Sequence, residues 1–140
     1  MDVPMELSQI LISETVDHQM IVLKEKGGHR RFPIRIGIGE AVAIDRRLKG
    51  INFVRPMTHD LLANVIELLN GRLEKIVIHD LRDITVDGQP HGTFFARLFI
   101  RQDGRTVEVD SRPSDAIALG VANNTPIFVT DWVLNAVAGE

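Results

Sequence analysis

Apolar and polar residues alternate most regularly between Gly92 and Asp110. Phe94, Ala96, Leu98, Ile100, Val107 and Val109 fall on one side, and Arg97, Phe99, Arg101, Glu108 and Asp110 on the other. That period of two belongs to a half-buried strand pair. Asp103-Gly104 separates the two runs. A two-residue type I′ turn there sets Ile100 opposite Val107, Leu98 opposite Val109 and Arg97 opposite Asp110, which predicts a cross-strand Arg97–Asp110 ion pair. Further strand-like runs are Leu7 to Glu14 and Gln19 to Lys24, joined near Val16-Asp17-His18. Arg31 to Ile36 follows the turn Glu25-Lys26-Gly27-Gly28, and Lys75 to Leu81 and Pro126 to Val129 complete the set. Arg82 to His91, with Asp87-Gly88 and Pro90, reads as a polar loop, and Asn52 to Met57 as an extended segment.

The helical period appears four times. Glu40 to Leu48 places Ala41, Ile44 and Leu48 on one face and closes on Lys49-Gly50. Thr58 caps a second helix to Leu69, with Asp60 in its positive first turn and Leu61, Val65, Leu68 and Leu69 directed to the core. The third runs from Pro113 to Ala122, and the last, Trp132 to Val137, follows Thr130-Asp131. Gly37-Ile38-Gly39 before the first helix is explained by a tight strand-to-helix turn more readily than by a phosphate loop.

The third helix opens inside the stretch Asp110-Ser111-Arg112-Pro113-Ser114-Asp115. Proline keeps the residue before it extended, so Arg112 is the N-cap and Pro113 the first helical residue. Asp115 is then third and within reach of the Arg112 amide, as in a capping box. Such a charged knot suits an anion or a carboxylate at the positive end of a helix, and it suits a simple helix start equally.

The order is three strands and two helices, twice over. Gly39-Glu40-Ala41-Val42-Ala43-Ile44 also rhymes with Ser114-Asp115-Ala116-Ile117-Ala118-Leu119. This predicts one α+β domain over residues 1–140, built from duplicated βββαα halves at about residues 7–70 and 73–138. The halves are expected to share one curved, barrel-like, mainly antiparallel sheet with helices packed on it. The rhyme sets Glu40 and Asp115 at equivalent helix starts and brings those starts together.

Composition changes the picture in two ways. The 140 residues contain no cysteine, which removes disulfides and thiolate chemistry. Net charge is −3, with no tyrosine, one tryptophan and six phenylalanines, so neither a dense basic surface nor a broad stacking platform for nucleic acid is evident. No apolar run approaches the roughly 18 residues of a membrane span. The start Met-Asp-Val-Pro-Met-Glu lacks the basic opening of a signal peptide, so a cytoplasmic protein without membrane partners is expected.

Several segments, in order, carry a resemblance. They are Pro33-Ile34-Arg35-Ile36-Gly37 with Glu40-Ala41, Arg55-Pro56-Met57-Thr58-His59-Asp60-Leu61, Gly92-Thr93-Phe94-Phe95-Ala96, Asp110 to Leu119, and Pro126-Ile127-Phe128-Val129. From about Leu11 to Leu134 the chain resembles the bifunctional nuclease domain family. The resemblance implies duplicated halves around a barrel-like sheet, a homo-oligomer (a trimer or a hexamer) and cleavage of both DNA and RNA. It departs from the family at Arg35, where a large aromatic is frequent, at Phe95, where tyrosine is common, and in a longer Arg82–His91 segment. It supplies no catalytic set.

Phosphodiester hydrolysis needs an activated water and stabilised charge on phosphorus, from carboxylate-held metal or from a histidine base beside arginine or lysine. The catalytic candidates are His59, Asp110 and Asp115, and the phosphate clamps are Arg55 and Arg112, whose planar forks meet two oxygens together. Glu40, Asp110 and Asp115 are the candidate ligands for a divalent cation, Mg2+ or Mn2+, and no organic cofactor is implied. His59 and Asp60, adjacent on a helix, diverge by about 100° and form no dyad with each other. Arg112 equally suits an ion pair, and Arg46-Arg47-Lys49 and His29-Arg30-Arg31 suit a solvated rim as well as a nucleic-acid contact. Two readings follow. One is a nuclease of low sequence preference that binds nucleic acid weakly. The other is a non-catalytic homo-oligomeric module that binds a ligand or protein.

Overall fold

The computed structural model describes residues 1–13, 15 and 18–138, so the expected strand end at Glu14 and the Val16-Asp17 joint lie outside the described residues. The chain runs β1 (Asp2–Leu11), β2 (Gln19–Glu25), β3 (Arg31–Ile36), α1 (Ile38–Leu48), α2 (Thr58–Leu68), β4 (Gly71–Val86), β5 (Gln89–Gln102), β6 (Arg105–Ser111) and α3 (Pro113–Gly120). A 3-10 turn at Val121–Asn123, β7 (Ile127–Thr130) and α4 (Asp131–Ala138) complete it.

The fold is α+β, with one seven-stranded sheet in the order β3-β2-β1-β7-β4-β5-β6. All pairings are antiparallel except β4 with β7. The sheet is open, with β3 and β6 as its edges, which corrects the barrel-like expectation. The halves also differ in order, because β7 enters between β1 and β4 and the second half reads βββαβα.

The β5–β6 register is the one the turn chemistry dictates: Ile100 faces Val107, Leu98 faces Val109 and Arg97 faces Asp110. Asp103 and Gly104 both have positive φ, as type I′ requires. The expected Arg97–Asp110 ion pair does not form. Arg97 Nη1 lies 3.4 Å from Glu108 Oε1, a carboxylate one methylene longer that reaches it diagonally. The supposed Arg82–His91 loop is instead a continuation of the β4–β5 hairpin, turning on Asp87 and Gly88, again both at positive φ. The arm is exposed on both faces and mostly polar, so the short alternation at Ile84-Thr85-Val86 is too brief to mark it as a strand.

Helices α1, α3 and α4 pack on one face of the sheet. Ala41, Ile44, Ile117, Ala118, Val133 and Leu134 meet Met5, Ile21, Leu23, Phe32, Ile34, Ile78, Ala96 and Val129 in the main core. A smaller core joins Ile76, Leu98, Ala116 and Leu119 to Ala63 and Ile66 of α2.

Two faces are turned differently from expectation. Leu48 is exposed while Arg46 is buried in α1, and Leu61, Val65 and Leu68 of α2, with Leu69 just after it, face outward, Leu68 at 82% exposure. The α2 sequence is apolar around most of its circumference, so period alone does not choose the buried side. The small Ala63 does, because it lets the helix approach closely. Two N-caps move by a residue: Met57 precedes α2, with Thr58 its first helical residue, and α4 begins at Asp131.

Candidate active site at the junction of α2 and α3

Arg112 is extended, at φ −72° and ψ 146°, and Pro113 opens α3 as the sequence requires. The expected capping box does not form, since no side chain caps this helix. Asp115 turns away from the Arg112 amide and uses its two oxygens separately. Oδ2 accepts from Arg112 Nε and Nη2, both at 2.8 Å, while Oδ1 lies 3.0 Å from His59 Nε2 in the first turn of α2. Arg112 also reaches Glu40 in the first turn of α1, Nη1 to Oε1 at 3.4 Å. The starts of α1, α2 and α3 are thus linked through one guanidinium and one carboxylate. Glu40 and Asp115 are each the third residue of their helices, and they do lie close together. Glu40 also folds back over Gly37, where a Cβ would stand 2.7 Å from its Oε1. That carboxylate covers the turn in which a phosphate loop would hold its anion.

The electrostatics follow from these contacts. Burial works to raise the Asp115 carboxyl, but hydrogen bonds from Arg112 and His59 and their charge outweigh it and hold the group below the usual carboxylate range. The same hydrogen bond raises the Arg112 guanidinium. Asp115 is therefore ionised at neutral pH and has no proton to give, so the hydrogen shared with His59 sits on Nε2. In the neutral form of the imidazole the lone pair is then at Nδ1. The His59 side chain is 11% exposed and that of Arg112 66%.

These groups close one end of a cavity of about 770 Å³ between α2 and the β5–β6 pair. Its lining includes His59, Asp110, Ser111, Arg112 and Asp115, together with Leu62, Ile66, Leu98, Ile100 and Val109. Asp110 lines the cavity without a hydrogen-bond or ion-pair partner among the described residues. Arg55 is not brought to the cluster; it lies exposed on the irregular segment before α2. The carboxylates do not fit a metal-holding set. Both Asp115 oxygens and one Glu40 oxygen are engaged by cationic or hydrogen-bonding partners. Among the described residues, no three His, Asp or Glu side chains converge as a cation site.

The sequence reading missed how the cluster is positioned. Arg46 and Arg47, candidates for a solvated rim, have side chains only 7% and 8% exposed. Arg46 bonds Asp60 and the Ile51 carbonyl, and Arg47 bonds Asp60 and the carbonyls of Ala118 and Leu119 at the end of α3. Asp60 Oδ2 also accepts from the Met57 amide at 3.0 Å, so the capping interaction expected at Arg112 occurs at α2 instead. Asp60 therefore points away from its neighbour His59, as the helical offset demands. A local signal existed in the acidic third residue after Met57, but nothing in the sequence names its two arginine partners.

A model of the bifunctional nuclease domain matches residues 21–140. The chain belongs to the bifunctional nuclease domain family. An uncharacterized protein of Mycobacterium tuberculosis is 34% identical over 125 residues, covering 89% of this chain and 70% of that protein. Bifunctional nuclease 1 of Arabidopsis thaliana is 27% identical over 120 residues, and the bifunctional nuclease of Oryza minuta 24% over 122. The chain spans 34% of the length of each of these two plant proteins. Within this bifunctional nuclease domain no described helix is long and apolar enough to cross a membrane.

Proposed function

We propose that the domain hydrolyses phosphodiester bonds of DNA and RNA with little sequence preference, binding the nucleic acid weakly. The observation that carries this reading is the joining of His59, Asp115 and Arg112 at one end of a cavity. Ionised Asp115 fixes the imidazole with its Nδ1 lone pair available, and Nδ1 takes the proton from an attacking water. Arg112, mostly exposed, holds phosphate oxygens and offsets charge developing at phosphorus. Family membership and the names of the plant relatives support the same activity.

A second reading, a non-catalytic homo-oligomeric module, draws on a different observation. Helix α2 buries none of its residues fully, and Leu61, Val65 and Leu68, with Leu69 just after the helix, leave an outward apolar row. An exposed apolar row of this kind suits an association site, and assembly of the domain into a trimer or hexamer through α2 is compatible with either reading. The deciding experiment is hydrolysis of DNA and RNA by highly purified protein beside His59→Ala and Asp115→Asn. Loss of activity in both variants is expected; activity that survives both and follows contaminant fractions on a sizing column overturns the nuclease reading.

A further inference from the structure

The cavity beside His59 is unsuited to a nucleic-acid backbone over most of its surface. Arg112 is the one cation in its lining, against the carboxylates of Asp110 and Asp115. Two basic residues of the neighbouring helix α1 are committed elsewhere. Arg46 and Arg47 are buried on Asp60 and on backbone carbonyls. The chain as a whole carries a net charge of −3. Proteins that grip duplex DNA or RNA do so by neutralising many phosphates, because the duplex turns its backbone outward and keeps its bases stacked inside. The lining itself has the charge for about one such contact.

What the cavity does offer is apolar. Leu98 and Ile100 of β5 share a sheet face with Val109 of β6, by the register that pairs Leu98 with Val109. Leu62 and Ile66 of α2 line the same space as these three residues. At about 770 Å³ it lies within the range of small-molecule sites, which are mainly apolar with a few polar groups that fix orientation. A ligand that satisfies both ends has a flat, weakly polar body and a single anionic group attached to it.

We propose that the apolar part of the cavity takes one unpaired nucleobase whose phosphate lies on Arg112, so that the substrates are single-stranded or frayed strands and not the body of a duplex. This rests on the nuclease reading for the chemistry at His59, but the base site itself does not require that any bond be cut. A base buried against Leu62, Leu98 and Val109 replaces by apolar contact the affinity that phosphate neutralisation does not supply. Phe94 and Phe95 also line the cavity and add aromatic surface to this site. The base has first to leave its helix, which costs least in single strands and at frayed ends.

The test uses the full chain and a short single strand carrying 2-aminopurine, whose fluorescence reports on its surroundings. Binding to the intact chain is expected to change that fluorescence, and the same sequence in duplex form is expected to bind about tenfold more weakly or less. Affinity for the single strand is expected to fall with salt at a logarithmic slope of about −0.7, the value for one neutralised phosphate. Leu62→Asn, at a residue already exposed in part, is expected to weaken single-strand binding by about tenfold with an unchanged thermal midpoint. A slope of about −3 or steeper, equal affinity for duplex, or fluorescence indifferent to the protein would overturn the base site. Loss of self-association in Leu62→Asn with no effect on the nucleotide would overturn it in favour of a second copy in the groove. Cleavage is scored separately: a fluorescence change without cleavage removes the nuclease reading and keeps the base site, and cleavage without it does the reverse.

Discussion

Arg46 Nη2 of α1 lies 3.1 Å from Asp60 Oδ2 of α2, and this contact holds the first turn of α2 in which His59 stands. Arg47 takes the other Asp60 oxygen and binds the end of α3, so three helices are tied to one carboxylate. Burial pushes the Asp60 carboxyl up, but the Met57 amide and the two guanidinium groups outweigh burial and hold it low. Removing the carboxylate leaves two buried guanidinium groups without their counter-charge. Asp60→Asn is expected to lower stability by about 3 kcal/mol. A denaturant midpoint that shifts by less than a third of that amount would show the network to be incidental.

The same contact sets an acid response. Asp60 and Asp115 are both held below the usual carboxylate value, which is about 3.9 for an unfolded aspartate. As pH falls through that value the unfolded chain takes up protons that the folded chain still refuses. The stability these carboxylates give is therefore complete above about pH 4 to 5 and lost as pH drops through their depressed folded values. Asp60→Asn is expected to flatten the decline in unfolding free energy across that window. An identical decline in variant and parent would assign the acid sensitivity to other groups.

Catalysis by a histidine base predicts a large loss in His59→Ala, about 10²–10⁴ in turnover. Asp115→Asn is expected to approach it, because an amide neither charges nor fixes the ring in the same way. Arg112→Lys keeps the charge but not the planar fork, and raises KM more than it lowers kcat. Because the donor set does not fit a cation, chelator is expected to leave the rate unchanged to within about twofold; a rate abolished by chelator and restored by Mg2+ or Mn2+ would place the chemistry on a metal instead.

Self-association is the expected fate of the outward face of α2. Light scattering behind a sizing column is expected to give a mass above that of one chain for the parent protein. Leu61→Glu with Leu68→Glu is expected to return it to a single chain, since both side chains are more than half exposed and neither supports the core. A monomeric parent at tens of micromolar would remove the assembly.

Gly120 ends α3 where Arg47 grips the preceding carbonyls. A Cβ at this position would lie 2.9 Å from Ile76 Cδ1 and 2.9 Å from Thr125 Cβ. The isoleucine tip can move but the threonine Cβ, fixed to the backbone, resists. Gly120→Ala is expected to cost about 1–3 kcal/mol by overpacking, read as a lower denaturant midpoint at unchanged slope.

Legibility varied with how local the cause was. The turn at Asp103-Gly104 specified the β5–β6 register residue by residue, because a two-residue loop leaves no freedom to slip. The same chemistry at Asp87-Gly88 sits in a mostly polar segment that reads as a loop, although a turn dictates pairing whatever flanks it. Proline placed Arg112 and opened α3 correctly. The side-chain partners of Arg112 and Asp115 were not readable there, since a capping box and an ion pair draw on the same residue types.

Sequence by itself determined the α+β class, the strand and helix order as far as α3, the β5–β6 register and the equivalent placing of Glu40 and Asp115. Each is governed by periodicity, turn geometry or proline, forces that act over a few residues. Only the tertiary structure decided that the sheet stays open around β7, that α2 turns Ala63 inward and its leucines outward, and that Arg46 and Arg47 are buried on Asp60. It alone also set His59 against Asp115, 56 positions away. Those outcomes depend on which surfaces meet after the chain has folded back, and a helix apolar on nearly every side, or an arginine with many candidate carboxylates, carries no local mark of its partner.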